Sequence, residues 1–194
     1  MRRFFYIFIS VILIVMQPVF TRYLQAAVQV ETVDDARLVA TFQLPAFRDT
    51  VILIDGIPHL HLAVPEFGAT TMSGAPSIPV TGEVVALPPG RRAVIRLLED
   101  DFVDLQGILL APAPSYTTSA DGQALVEVIT EPDAELYNQD RFLPGPAIAA
   151  GTRSSRRGVQ LQHIALHPFR YNPATQTLRI SRRIRFEVRF ENDG

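Results

Sequence analysis

His59 and His61 stand two residues apart in an alternating run, a spacing that can put two imidazoles on one strand face where a metal could bridge them. No acid or third histidine lies nearby in the sequence to complete such a site, so an exposed strand face is the simpler reading. His163 and His167 are four apart, which pairs side chains on a helix, but their surroundings read as a strand. Glu99-Asp100-Asp101 with Asp104 gathers oxygen ligands of the kind calcium takes, yet without the twelve-residue loop pattern it reads as a solvated turn. There is no Gly-x-Ser-x-Gly elbow for a nucleophilic serine and no glycine loop to cradle phosphate. The 194 residues include no cysteine, so the chain cannot supply a thiolate. These residues give no catalytic set and no metal site, and they call for no cofactor.

A basic group is the remaining chemical feature. Arg153, Arg156 and Arg157, with Ser154, Ser155 and Gly158, form a patch that reads as exposed. Its alternatives to a plain solvated loop are a processing site for an arginine-directed peptidase or a dock for an acidic surface, since guanidinium pairs well with carboxylate. Every basic residue of the chain is arginine; there is no lysine.

The first 27 residues read as a secretory signal peptide. Arg2-Arg3 is a positive start, Phe4 to Met16 is apolar apart from Ser10, Gln17-Pro18 breaks the run, and Leu24-Gln25-Ala26-Ala27 offers small residues for cleavage. The apolar run is shorter than the ~20 residues a membrane-spanning helix needs. Export to the medium or cell envelope follows, with no membrane association after cleavage and the mature chain beginning near Val28. Losing Arg2, Arg3 and Arg22 but no acid leaves 15 basic residues (18 less 3) against 20 acidic ones, a net charge of −5. An acidic domain excludes nucleic acid and anionic membrane as partners.

What must position these groups is a set of strands. Residues 28–194 read as one all-β domain, because the apolar pattern is period two almost throughout and 14 prolines (the chain's 15 less Pro18) and 11 glycines punctuate it. Leu38, Ala40, Phe42 and Leu44 alternate; so do Leu60, Leu62 and Val64. In the last run Leu178, Ile180, Ile184, Phe186, Val188 and Phe190 are even, while Arg179, Ser181, Arg183, Arg185, Glu187 and Arg189 are odd. The even set is expected inside and the odd set in water. Val159 and Leu161 fall out of phase with Ile164 and Leu166, which a β-bulge near Gln162-His163 would repair. Thr130 to Gly158 shows no strand pattern and reads as a long connection, as does Pro112 to Gln123. Short strands with frequent turns predict an antiparallel β-sandwich or open barrel.

Five pieces in one order carry a resemblance. They are Gly74-Ala75-Pro76-Ser77-Ile78-Pro79-Val80, Ile108-Leu109-Leu110-Ala111-Pro112, Tyr137 through Gly145, Tyr171 through Leu178, and the final strand to Phe190. Together, roughly from Leu38 to Phe190, the chain resembles the prodomain of gingipain-type cysteine peptidases. The resemblance implies a secreted all-β unit that assists folding of a caspase-like cysteine peptidase, in cis or in trans, and keeps it latent by laying a loop across the active-site cleft. By order of motifs that loop lies between Ala113 and Gln123, giving Ser115, Tyr116, Thr117, Thr118, Ser119, Ala120 and Asp121 as the candidate inhibitory segment. In the family's arginine-specific branch a basic side chain enters the specificity pocket; this segment has none, leaving Tyr116 or Asp121. The chain stops at Gly194, where the family continues into a peptidase, so a truncated frame, an excised prodomain and a stand-alone inhibitor stay open. The other function class is an accessory β-sandwich module of the cell envelope, serving adhesion or structure.

Overall fold

The computed structural model describes residues 28–193. Over them the chain runs β1 (Val28–Val33), β2 (Arg37–Gln43), β3 (Arg48–Ile54), β4 (Ile57–Ala63), β5 (Gly68–Ala69), β6 (Pro79–Ala86), β7 (Arg91–Leu105), β8 (Ser115–Thr118) and β9 (Leu125–Val128). A single helical turn α1 (Ala134–Tyr137) follows, then β10 (Ile148–Arg156), β11 (Val159–Leu166), β12 (Phe169–Asn172) and β13 (Thr177–Asn192). The signal peptide expected over residues 1–27 lies outside the described residues. Among those described, no helix is long and apolar enough to cross a membrane.

The alternating C-terminal run is the spine. One edge of β13 pairs with β7 along nearly its whole length; the other pairs with β12 at its start and with β2 beyond. With β1 on β2 this makes a five-stranded antiparallel sheet. The second sheet, in the order β10-β11-β6-β5, is also antiparallel. Phe42, Ile184, Phe186 and Val188 of the first sheet meet Ile148, Ile164 and Leu166 of the second in one buried cluster, which makes the fold a sandwich. A second cluster, with Leu62, Ile78, Leu110, Phe169, Tyr171 and Leu178, fills the end where the β3–β4 hairpin lies.

Every even-numbered apolar residue of β13 is buried, as its period predicts, but the odd face is not uniformly wet. Ser181 and Glu187 are buried as well. Arg170 of β12 lies over Ser181, with Nη2 donating to Ser181 Oγ at 2.8 Å and to Asp100 Oδ2 of β7 at 2.5 Å. A small residue on the middle strand lets the guanidinium cross to the far one. Glu187 is covered by Arg37 at 3.6 Å and Arg189 at 2.8 Å.

Three expectations are corrected. Thr130 to Gly158 is not strandless: it holds α1 and all of β10, an edge strand whose residues beyond Ile148 and Ala149 are exposed, so no inside–outside contrast marks its sequence. The bulge lies not in β11 but opposite it, where Gly151 and Thr152 of β10 face His163. β11 keeps its phase by burying Gln162, whose Nε2 donates to Gly151 O and His163 O, each at 2.8 Å. Finally, His59 is not on an exposed face. It is buried, with Nδ1 3.0 Å from Ile57 O, while His61 is half-buried.

Candidate functional site

The segment from Ser115 to Val128 leaves the sandwich as a two-stranded arm. Its strands pair only with each other, in the register Ser115 to Val128, Tyr116 to Glu127, Thr117 to Val126 and Thr118 to Leu125. β-Formers on either side of Asp121-Gly122 explain why a hairpin forms here. The structure thus corrects the loop reading of this region: Ser115, Tyr116, Thr117 and Thr118 are strand, and Ser119, Ala120 and Asp121 belong to the turn. Ser119 N–H donates to Ala124 O and Gly122 N–H to Ser119 O, both at 2.8 Å.

The two residues left open as pocket-fillers differ here. Asp121 is used by its own turn, where Oδ1 accepts from Ser119 Oγ at 2.5 Å and from Gln123 N–H at 3.2 Å. The Ser119 hydroxyl, then the Gln123 amide, hold its carboxyl below the usual range. One oxygen of this carboxylate is thus committed to the turn. Tyr116, 63% exposed, stands at the arm's root beside a notch of about 220 Å³ lined also by His61, Thr70, Thr71, Ser77 and Glu127. Leu125, Val126, Val128 and Ile129 are exposed too, so the arm presents apolar side chains along its length.

The arm is rooted in a socket built from the sequence segments singled out above. Ser115 N–H donates to Thr130 Oγ1 at 3.0 Å, closing the root. Gly74 N–H donates to Ala113 O and Ala113 N–H to Ala75 O, while Ser77 N–H donates to Ala111 O, so the 74–80 and 108–112 segments hold each other. Asp133 N–H then donates to Gly74 O, and the Asp133 carboxylate caps α1 through the N–H groups of Glu135 and Leu136. Gly74 is required twice over: its φ is +78°, and a Cβ there would lie 3.2 Å from Asp133 Cβ.

Two phenols complete the socket: Tyr137 OH donates to Leu110 O at 2.7 Å and Tyr171 OH to Ile108 O at 2.8 Å. Burial raises the pKa of each, keeping both protonated as donors. Their role was invisible in the sequence, where each tyrosine sits in a turn-rich segment with no periodicity.

The acidic cluster of β7 is paired with arginines. Arg179 grips Asp104 with Nε and Nη2, both at 2.8 Å, and lies between the rings of Phe102 at 4.0 Å and Phe142 at 4.4 Å. Arg182 meets Asp101 at 2.9 Å and Arg183 meets Glu99. The acidic cluster is therefore one side of a ladder between β7 and β13. Among the described residues no group of three or more acids or histidines converges on a metal-sized space.

The basic candidates are not in a loop either. Arg153 and Arg156 are on β10, and Arg157-Gly158 form the tight turn into β11 with φ of 51° and 81°. Arg153 grips Asp193 at 3.1 and 2.9 Å. Arg156 and Arg157 are exposed and have no ion pair among the described residues.

A family model described as Propeptide_C25 matches residues 57–194. Gingipain R2 of Porphyromonas gingivalis is 26% identical over 107 residues, which are 55% of this chain and 14% of that protein. Gingipain R1 of the same organism is 24% identical over 107 residues, 55% of this chain and 10% of that protein. The fold matches a chain of the complex of Porphyromonas gingivalis RgpB pro- and mature domains with a TM-score of 0.72 and 22% identity, covering 85% of this chain and 88% of that one. It also matches a structure giving insight into zymogenic latency of gingipain K from Porphyromonas gingivalis, with a TM-score of 0.68, 20% identity, and 86% and 93% coverage. These structural likenesses establish the fold. The matched stretch spans about one seventh or less of the length of these two curated relatives.

Proposed function

The chain belongs to the propeptide family of C25 peptidases, and from that membership we propose that it is a non-catalytic prodomain-type module. It assists folding of a secreted caspase-like cysteine peptidase and keeps it latent by laying the Ser115–Val128 arm across the active-site cleft. The arm itself carries this reading. An isolated two-stranded hairpin is marginal in water, and a run of exposed apolar side chains marks a contact surface; both costs are removed when a partner covers the arm. The partner brings the thiolate that a chain without cysteine lacks. With one Asp121 oxygen committed to its turn, Tyr116 is the less constrained of the two side chains to meet the cleft.

Specific interfaces bury roughly 1,200–2,000 Å², more than a four-by-four hairpin offers, so part of the body docks as well. Arg156 and Arg157 suit that role against carboxylates better than a processing role. Their backbone sits in a paired hairpin, which must open before a peptidase can hold it extended. The leader of residues 1–27 directs export, and the working form starts near Val28.

The test is a titration of the exported protein, its N-terminus sequenced, against a caspase-like peptidase encoded beside it. The expected result is a complex without activity. Replacing Tyr116 through Asp121 by Gly-Ser should weaken inhibition more than binding. If saturating protein leaves the peptidase fully active and no complex forms, the accessory envelope module replaces this reading.

A further inference from the structure

The notch between the arm and the body measures about 220 Å³, several times the ~30 Å³ that a water occupies in the liquid, so it has room for the head of a side chain. Tyr116 and Glu127 form its arm side. They are register partners across β8 and β9, so their side chains leave the same face of the hairpin. Thr70, Thr71 and Ser77 form its body side.

The body side is fixed by its own hydrogen bonds. Thr70 Oγ1 donates to Pro76 O at 2.6 Å and accepts from Ile78 N–H at 2.9 Å, and Ser77 N–H donates to Ala111 O at 2.8 Å. These bonds use the Thr70 hydroxyl but leave those of Thr71 and Ser77 without a partner among the described residues. Ser77 is only 6% exposed, yet it lines the notch. Across from it Glu127 is exposed and has no ion pair among the described residues, and no arginine lines the notch. A ring face, a carboxylate and two hydroxyls are therefore gathered around one space with nothing to bind.

We propose that the notch binds one arginine side chain, presented by the peptidase that the arm covers. The proposal rests on the latency reading for the source of that arginine; the chemistry is the notch's own. A guanidinium is planar and carries five N–H donors. It can lie against the Tyr116 ring while donating to the Glu127 carboxylate and to the Thr71 and Ser77 hydroxyls. An ammonium has donors but no plane to stack. An anion would meet the Glu127 carboxylate, and a metal ion would find one carboxylate and one imidazole, His61, too few to hold it. Because the body side is already hydrogen-bonded in place, little of it has to be ordered on binding.

The probe is N-acetylarginine amide, titrated into the isotopically labelled protein by NMR, with N-acetylcitrulline amide as its uncharged isostere. The arginine compound should shift the signals of Ser77, Tyr116 and Glu127 saturably, and the citrulline compound should not. Glu127→Gln should weaken binding about fivefold and Tyr116→Leu about threefold, while Tyr116→Phe, which keeps the ring, should bind as the parent does. The thermal midpoint of Glu127→Gln, expected unchanged because Glu127 has no ion-pair partner to lose, excludes misfolding as the cause. In the complex with the peptidase Glu127→Gln should raise Kd by a similar factor, whereas Glu131→Gln, which removes an equal charge outside the notch, should not. The proposal is overturned if the arginine compound does not bind, if both compounds bind alike, if the shifts fall elsewhere, or if Glu127→Gln leaves either equilibrium unchanged. Should no complex form at all, the latency reading fails and the source of the arginine with it, while the probe titration still decides the site.

Discussion

Arginine as the only base has a geometric reason at several positions. Arg153, Arg179 and Arg185 each hold a carboxylate with two nitrogens, and Arg179 also stacks between two rings; an ammonium can do neither. The alternation of arginine with apolar residues in the last run was readable because each face had a single chemistry. Which acid each arginine meets was not, since Asp104 and Arg179 come together from strands 75 residues apart. The pair that matters most is Arg170 with Asp100, whose side chains are 9% and 11% exposed. Arg170 Nε and Asp100 Oδ1 are buried without a hydrogen-bond partner among the described residues. Asp100→Ala strands a buried cation and should cost about 3–5 kcal/mol, comparable with the ~3–5 kcal/mol for Phe186→Ala in the core. Arg185→Ala, on a solvent-screened surface pair, should cost far less than either. Urea unfolding of the three variants checks the order; Asp100→Ala falling with Arg185→Ala would show that the pair is solvated.

At the scale of elements, legibility follows contrast. β2 and β13 each bury one face, and the sequence marks both. β8, β9 and β10 have little or nothing buried, so no period distinguishes them from loop, although Asp121-Gly122 did mark a turn. Motif order therefore points to the candidate arm's position but not to its hairpin form. Its socket was legible only as a string of segments, since hydrogen bonds such as Tyr137 OH to Leu110 O leave no spacing rule in the chain. Gly74 and Gly56 separate socket from simple turn. Both have positive φ, +78° and +77°, but a Cβ at Gly56 meets open space while one at Gly74 meets Asp133. Gly56→Ala should cost about 1–2 kcal/mol from the left-handed backbone alone. Gly74→Ala should cost more and, by shifting the arm's root, also weaken inhibition. Equal stability losses with inhibition intact would show that the arm does not depend on this socket.

For the whole molecule, the charge ladder and one histidine set how stability responds to pH. Arg185, Arg179 and Arg153 hold Glu31, Asp104 and Asp193 below the ordinary carboxylate range, in each case chiefly through the hydrogen bond between the pair. A lowered folded value means that the unfolded chain takes up protons first as pH falls. The stabilisation is therefore complete above the unfolded range of about 3.9–4.3 and disappears as pH drops through the folded values. His167 acts earlier. Burial lowers its pKa, the hydrogen bond to Pro146 O at 2.7 Å opposes the shift, and Arg170 adds to it. The neutral ring with Nδ1–H donating is the folded form, so its contribution is full above the ordinary histidine value of about 6.5 and is lost as pH falls through the folded one. The thermal midpoint should thus be flat above neutrality, decline gently below about pH 6.5 and fall steeply below about pH 4. His167→Gln should abolish the gentle stage and leave the steep one. Molar salt should reduce the steep stage, because those pairs are partly exposed and therefore screened. A midpoint that holds level from pH 8 to pH 3 would mean that the arginine–carboxylate pairs form equally in the unfolded chain, and that burial rather than charge carries the stability of the sandwich.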